Sequence, residues 1–311
     1  MVQVDLITGF LGAGKTTLLR RYVRYLVQQG HNVCILENDF GAVNVDAMLV
    51  QDLLGERCDI ETISGGCDCD THQRRMRTKL IAMAMRGFDR VVVEPSGIFD
   101  VDEFFDVLRD DPLDRWYQIG NVIAIVDAML PEALSPQVEY LLASETANAG
   151  RVLLSRTRQA GPEQCAAVAA HLTRALEGCK CSRRFAEGEL LTKDWDALTD
   201  EDFAALASCG YRQASCEKLH FDEHKAFGSL CFLEQKLSPA QLQAAADRLF
   251  VDKACGNILR VKGFAPQDGG WLELNATAAG KTLAPVPQGQ DVLIVIGEGL
   301  DKAAIEAQLH G

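Results

Sequence analysis

At 311 residues, with 48% hydrophobic and 24% charged residues, the chain is long enough for two domains and a sizeable core and has the make-up of an ordinary globular protein. Its 31 lysines and arginines stand against 44 aspartates and glutamates, a net charge of -13 that excludes nucleic acid as an expected partner. No signal-type segment or bilayer-length apolar run is present, so a cytoplasmic protein with no membrane partner is expected, and its 11 cysteines should be free or metal-binding thiols rather than disulfides.

Val2–Ile7 predicts a short apolar strand, and Leu18, Leu19 and Val23 predict a helix that opens near Thr17. Between them runs Gly9-Phe10-Leu11-Gly12-Ala13-Gly14-Lys15-Thr16, giving strand, glycine loop and helix in succession. Glycine lets the backbone turn successive N–H groups inward around a phosphate chain, and the helix N-terminus adds partial positive charge. Lys15 is placed to reach the terminal phosphates and Thr16 to hold Mg²⁺. Gly9, Gly12, Ala13, Gly14, Lys15, Thr16 and Thr17 are therefore the expected nucleotide contacts.

A second strand is expected over His31–Glu37, followed by the polar loop Asn38–Asp46 with carboxylates at Asp39 and Asp46. The third, Asp59–Thr62, leads into Ser64-Gly65-Gly66-Cys67-Asp68-Cys69-Asp70-Thr71-His72, and a helix should then run through Met76, Leu80, Ile81 and Met85. Asp89–Glu94 is a continuous apolar run ending in an acid, as expected of a buried parallel strand that delivers Glu94 to its C-terminal end; Pro95-Ser96-Gly97 turns the chain away. Further strands are expected at Asn121–Asp127 and Arg151–Ser155, each before a helix, the second of which runs through Val168 and Leu172. This alternation predicts an α/β fold with a parallel sheet flanked by helices.

From about Lys180 to Gln213 the chain is polar and short in period, and the domain boundary is placed there, dividing residues 1–205 from 206–311. Beyond it, strands at Phe227–Glu234, Asn257–Phe264, Trp271–Thr277 and Asp291–Ile296 and helices opening at Ser238-Pro239-Ala240-Gln241 and spanning Asp301–Leu309 predict a smaller α+β domain. Cys34, Cys165, Cys231 and Cys255 fall among apolar residues and are expected in cores. Cys179 and Cys181 are expected to be structural or incidental, and His220 and His224 to lie in a solvated polar loop.

Taken together, Gly9 to Thr17, Asn38-Asp39-Phe40-Gly41 to Asp46, Gly66-Cys67-Asp68-Cys69, Glu94-Pro95-Ser96-Gly97, Val126-Asp127-Ala128, Leu259–Phe264 and Ile296–Asp301 resemble the CobW family of P-loop GTPases, relatives of UreG and HypB. The resemblance implies a P-loop NTPase fold with a CobW-type C-terminal domain, and GTP hydrolysis with Mg²⁺ coupled to delivery of a transition metal such as Zn²⁺ or Co²⁺ to a client metalloprotein or corrinoid-related enzyme. It implies Lys15, Asp39, Asp46 and Glu94 as catalytic residues, Asp39 to Asp46 as a switch loop, Thr16 and Glu94 as Mg²⁺ partners, and Gly97, Ser155 and Arg156 among the nucleotide contacts. Oligomeric state is left open.

Two departures from the family pattern alter these expectations. Cys67-Asp68-Cys69-Asp70 replaces Cys-x-Cys-Cys, so two thiolates must be completed by other donors, with Glu37, Asp39, Asp70 and His72 as the nearest candidates. Ser155-Arg156-Thr157-Arg158 replaces Asn-Lys-x-Asp, and arginine cannot accept the hydrogen bonds by which an aspartate reads guanine. ATP therefore stands beside GTP as a candidate. The competing readings are a metal- or partner-binding module with relaxed nucleotide specificity and a small-molecule P-loop kinase.

Overall fold

The computed structural model describes residues 1–39, 49–64, 69–99, 101–214, 216–217, 226–267, 269–286 and 288–309, with only the backbone described for Asn38, Asp39, Ser64 and Cys69–His72. The chain divides into two compact units, one drawn from Met1–Asp39 and Val50–His220 and the other from Phe40–Leu49 and Phe221–Gly311. In the first unit β1 (Val2–Gly9), α1 (Lys15–Gln28), β2 (Val33–Asp39), β3 (Cys58–Ser64), α2 (Cys69–Ala84), β4 (Arg90–Glu94), α3 (Val101–Arg109), a short α4 (Leu113–Trp116), β5 (Tyr117–Asp127), α5 (Pro136–Ala147), β6 (Arg151–Ser155), α6 (Thr157–Gly178), β7 (Leu190–Leu191) and α7 (Asp200–Leu206) follow one another.

The strands form a 7-stranded sheet in the order β3-β2-β4-β1-β5-β6-β7, paired in parallel throughout. Both faces are buried, which is why the strand sequences read as continuous apolar runs rather than alternating ones. Val91 and Val93 enter the core cluster that holds Phe104, Leu142, Val168 and Leu172, while Val92 enters the opposite one with Leu18, Leu19, Tyr22, Val23 and Phe203. The expected α/β architecture is present. The helix expected to run through Met85 ends at Ala84, so Met85 lies one residue beyond α2 and is 80% exposed, while Met83, at 1%, faces the core. α3 and α7 were not foreseen. Three acidic residues open α7, and Thr199 and Asp202 close a capping box at its start.

A buried polar knot crosses the sheet beneath the strands' C-terminal ends. Asp5, fully buried, accepts hydrogen bonds from Tyr22 Oη at 2.8 Å, Arg90 Nη1 at 2.6 Å and the Asn121 backbone N–H at 2.8 Å. Asn121 in turn accepts from Gly210 N at 2.8 Å, pinning the segment after α7 to β5. Removing the carboxylate leaves a nearly buried guanidinium uncompensated. Asp5→Ala is expected to destabilise the first unit by about 3–5 kcal/mol, measured as a lowered urea midpoint; an unchanged midpoint would contradict this.

In the second unit β8 (Gly228–Leu233), α8 (Pro239–Val251), β9 (Asn257–Gln267), β10 (Gly270–Thr277), β11 (Gly280–Val286), β12 (Val292–Glu298) and α9 (Lys302–Leu309) build a 5-stranded antiparallel sheet, order β11-β10-β9-β12-β8, with both helices packed on one core. Ser238 caps α8 as expected, accepting from Gln241 N at 3.3 Å while Gln241 Oε1 accepts from Ser238 N at 2.9 Å, with Pro239 in the first turn. β11 escaped notice because it is a largely exposed edge strand that carries Pro285 and no alternation to read. Cys34, Cys165 and Cys255 are buried, and burial pushes the Cys34 thiol up to about 12; Cys231 is only half-buried, because β8 lies at the other edge of the sheet. Among the described residues no helix is long and apolar enough to cross a membrane.

Candidate functional site

Because the strands of the first sheet run parallel, their C-terminal ends gather on one edge, and the crevice there is where such a sheet receives a ligand. β1 delivers the glycine loop to that edge. Gly9 sits at φ +146° against β5, where a Cβ would stand 2.3 Å from the Ile125 carbonyl oxygen. Gly12 and Gly14 also hold positive φ, and Gly14 is the N-cap of α1 with no side-chain cap, so the first amides of that helix are left for a ligand. Ala13 N donates to Phe10 O at 3.1 Å, tightening the turn. Lys15, only 7% exposed, arches back to donate from Nζ to Gly9 O at 2.8 Å, and Thr17 is exposed at the start of the helix.

Thr16 Oγ1 donates to Glu94 Oε1 at 2.8 Å, joining the loop helix to the end of β4. Glu94 is 4% exposed and Glu37, its register partner on β2, 1%. Register partners in a parallel pair face the same side about 4.8 Å apart, so two buried carboxylates lie side by side at the mouth of the loop. Gly97 closes this corner: a Cβ there would stand 2.6 Å from Leu11 N, so only glycine lets the turn after β4 lie against the glycine loop. These donors fit a hard divalent ion beside triphosphate, since a hydroxyl and a carboxylate already converge at the helix N-terminus.

On the other flank, Asp127 and Ser155 are register partners at the ends of β5 and β6. Arg156, held at φ 54°, donates to Asp127 Oδ2 at 2.6 Å and to Gly12 O at 3.2 Å, so it ties the glycine loop to β5. Burial pushes the Asp127 carboxyl above its usual range, with the Met129 N–H and the Arg156 guanidinium opposing it. Ser155 is 4% exposed and its Oγ has no hydrogen-bond partner among the described residues, whereas Arg158 is exposed on the first turn of α6. Trp195, which lies in no motif, also reaches this place: its Nε1 donates to Leu154 O at 2.9 Å and its ring packs over Gly14. Only a structure finds it, since the polar stretch it sits in offers no periodicity.

Asp46, Cys67, His220 and His224 lie outside the described residues, as do the side chains of Asp39, Cys69, Asp70 and His72. The described backbone flanks residues 65–68 on both sides. β3 ends at Ser64 in register with Asp39, and α2 begins at Cys69, so the stretch between starts one strand from Glu37 and two from Glu94. Among the described residues no group of three or more His, Cys, Asp or Glu is arranged to hold a metal ion. Cys181 is buried and Cys179 half-buried at the end of α6, and the Cys216 thiol, raised by burial and by its hydrogen bond with Cys181, completes a packed thiol group there.

A glycine loop between β1 and α1, an uncapped helix start and a paired acid at the end of a neighbouring parallel strand define a P-loop nucleotide-binding domain. Residues 3–182 match the family described as "CobW/HypB/UreG, nucleotide-binding domain", and residues 228–311 match "Cobalamin synthesis protein cobW C-terminal domain". The chain belongs to the CobW/HypB/UreG family. Its relatives include the zinc chaperone YjiA of Escherichia coli (strain K12), 34% identical over 51% of this chain and 51% of the relative, and the zinc chaperone CobW of Pseudomonas aeruginosa, 28% identical over 99% and 91%. The match thus spans about half the length of YjiA, and it spans 39% of the zinc chaperone YeiR of the same E. coli strain, at 30% identity over 42% of this chain. Among solved structures, Zn(II)-bound YjiA GTPase from E. coli aligns over 100% of this chain and 98% of that one at 22% identity, with a TM-score of 0.39.

Proposed function

We propose that this chain is a nucleoside triphosphatase of the cytoplasm that couples hydrolysis to the holding and release of a transition metal, zinc or cobalt, for a client metalloprotein or a corrinoid-related enzyme. The observation that carries the reading is the 2.8 Å bond from Thr16 to Glu94 with Glu37 in register beside it, which joins the phosphate loop to an acidic pair whose nearer member, Glu37, lies one strand from the start of the thiol stretch. The names of several relatives as zinc chaperones support the metal half. Residues 1–205 would carry the nucleotide chemistry and 206–311 the second, CobW-type domain.

In this reading Lys15 leaves Gly9 O for the terminal phosphates, the glycine-loop amides and the start of α1 take the remaining phosphate oxygens, and Arg156 keeps the loop in place through Asp127 and Gly12. Thr16 and Glu94 would hold Mg²⁺, which when bound neutralises charge building on the phosphates. Asp39 and Asp46 lie on the segment that follows β2 and would sense the terminal phosphate as a switch. The cargo metal would take Cys67 and Cys69 together with oxygen or nitrogen donors drawn from Glu37, Asp39, Asp70 and His72. Glu37 neighbours Glu94 along the sheet edge, so a change of charge at either site is felt at the other.

Mg²⁺-dependent release of phosphate from GTP, measured with no acceptor present, tests the enzymatic claim: steady release is expected and its absence contradicts it. A kinase would release no phosphate without its acceptor, nor would an inert binding module. At the base, Arg156 is committed to Asp127 and Gly12 and Arg158 carries no acceptor. GTP and ATP are therefore expected to bind within about tenfold of each other, against the 10⁴–10⁵ that a dedicated hydrogen-bonding reader gives. Competition titration checks this, and discrimination approaching that ratio would contradict it.

A further inference from the structure

Trp195 stands where a nucleoside must emerge from the phosphate loop. Its Nε1 bond to Leu154 O anchors the indole at the end of β6, beside Ser155. The ring atoms Cη2 and Cζ3 come within 3.1 and 3.3 Å of the point where a Cβ on Gly14 would stand, and Ser155 Cβ is 3.9 Å from the same point. Arg21 of α1 donates to the Trp195 carbonyl, fixing the backbone as well as the ring. The residue is half-buried and packs against the core cluster that holds Leu18, Leu19 and Tyr22 of α1. The Ser155 Oγ, nine-tenths buried beside it, has no hydrogen-bond partner among the described residues and is available to a ligand.

We propose that Trp195 is the platform on which the nucleobase stacks, replacing edge recognition by contact with the purine face. Every purine presents that face, so the platform holds guanine and adenine alike. This accounts physically for a chain whose expected base-reading residues have become a tether, Arg156, and an exposed donor, Arg158. Acceptor groups adjoin Trp195 in sequence, Asp194 and Asp196, and they define the competing outcome. The Asp194 carboxylate already accepts from Asp196 N at 2.9 Å.

The proposal rests on the phosphate-loop reading, and the test separates the two. Affinities of the full chain for GTP, ATP and inorganic tripolyphosphate are measured for the parent, Trp195→Ala and Trp195→Phe. Trp195→Ala is expected to weaken GTP and ATP by the same factor, roughly tenfold for the loss of one stacked base, to leave tripolyphosphate within twofold (about 0.4 kcal/mol), and to be largely rescued by Trp195→Phe. Equal weakening of tripolyphosphate would overturn the platform, making Trp195 a prop for Gly14. A loss confined to GTP would overturn it in favour of a flanking carboxylate that reads guanine. A second measurement needs no change at the site: in a Trp116→Phe, Trp271→Phe chain Trp195 is the remaining tryptophan, and GTP and ATP should both quench its fluorescence while tripolyphosphate does not. Binding of all three without that difference overturns the platform alone; binding of none overturns the platform and the phosphate-loop reading together.

Discussion

Lys15→Ala is expected to abolish measurable binding of GTP and ATP while leaving the fold intact. The side chain is 7% exposed, yet its ammonium is spent on a loop carbonyl rather than on a core contact, so truncation removes a charge from the phosphate cradle and little packing. A buried hydrogen-bonded charge lost from a binding site costs about 2–5 kcal/mol or more, and roughly 1.4 kcal/mol is a factor of ten in affinity. At the upper end of that range micromolar binding falls to millimolar. Circular dichroism and the thermal midpoint should stay close to the parent's. Parent-like nucleotide affinity in the variant would show that the glycine loop is a turn and nothing more.

The Cys67→Ser, Cys69→Ser chain is expected to lose high-affinity zinc and cobalt binding. Two thiolates one residue apart can reach one ion, and a serine hydroxyl is a poor replacement for a soft anionic sulfur. Tetrahedral coordination also needs donors beyond these two, and Glu37 is a carboxylate at 1% exposure one strand away, in register with Thr62 of β3. Since a thiol must give up its proton to bind, parent affinity should fall as the pH drops and metal uptake should release protons. Isothermal titration in two buffers of different ionisation enthalpy reads both. Equal zinc affinity in parent and variant would remove the thiolate site.

The nucleotide half of the first unit was legible in sequence because its chemistry is local. Gly9 to Thr16 is contiguous, and the run Val91-Val92-Val93 before Glu94 announces a strand buried on both faces with its acid at the far end. What stayed illegible depends on contacts across the chain. Nothing in sequence pairs Thr16 with Glu94 or sets Glu37 beside it; the strand order does, by placing β4 between β1 and β2. Gly97 shows its purpose only against Leu11, and Arg156 only against Asp127 and Gly12. Trp195 was missed because it reaches the site by a ring's length from a polar stretch with neither period nor motif. Met85 was misplaced for an opposite reason: the helical period continues past Ala84, but the chain turns there and Met83 occupies the core. Edge strand β11, exposed and bearing Pro285, satisfies its backbone through β10 without the apolar alternation that marks a half-buried strand.

Coupling between the two sites is the centre of this account, and reciprocity makes it measurable. Zinc affinity is titrated with and without GTP and Mg²⁺, and GTP affinity with and without zinc, on the same preparation. Linkage requires both ratios to be the same factor, and adjacency of Glu37 and Glu94 predicts a factor of about 5–150, the range of typical coupling free energies. Zinc affinity unchanged by nucleotide, with both ligands bound, would contradict the coupling.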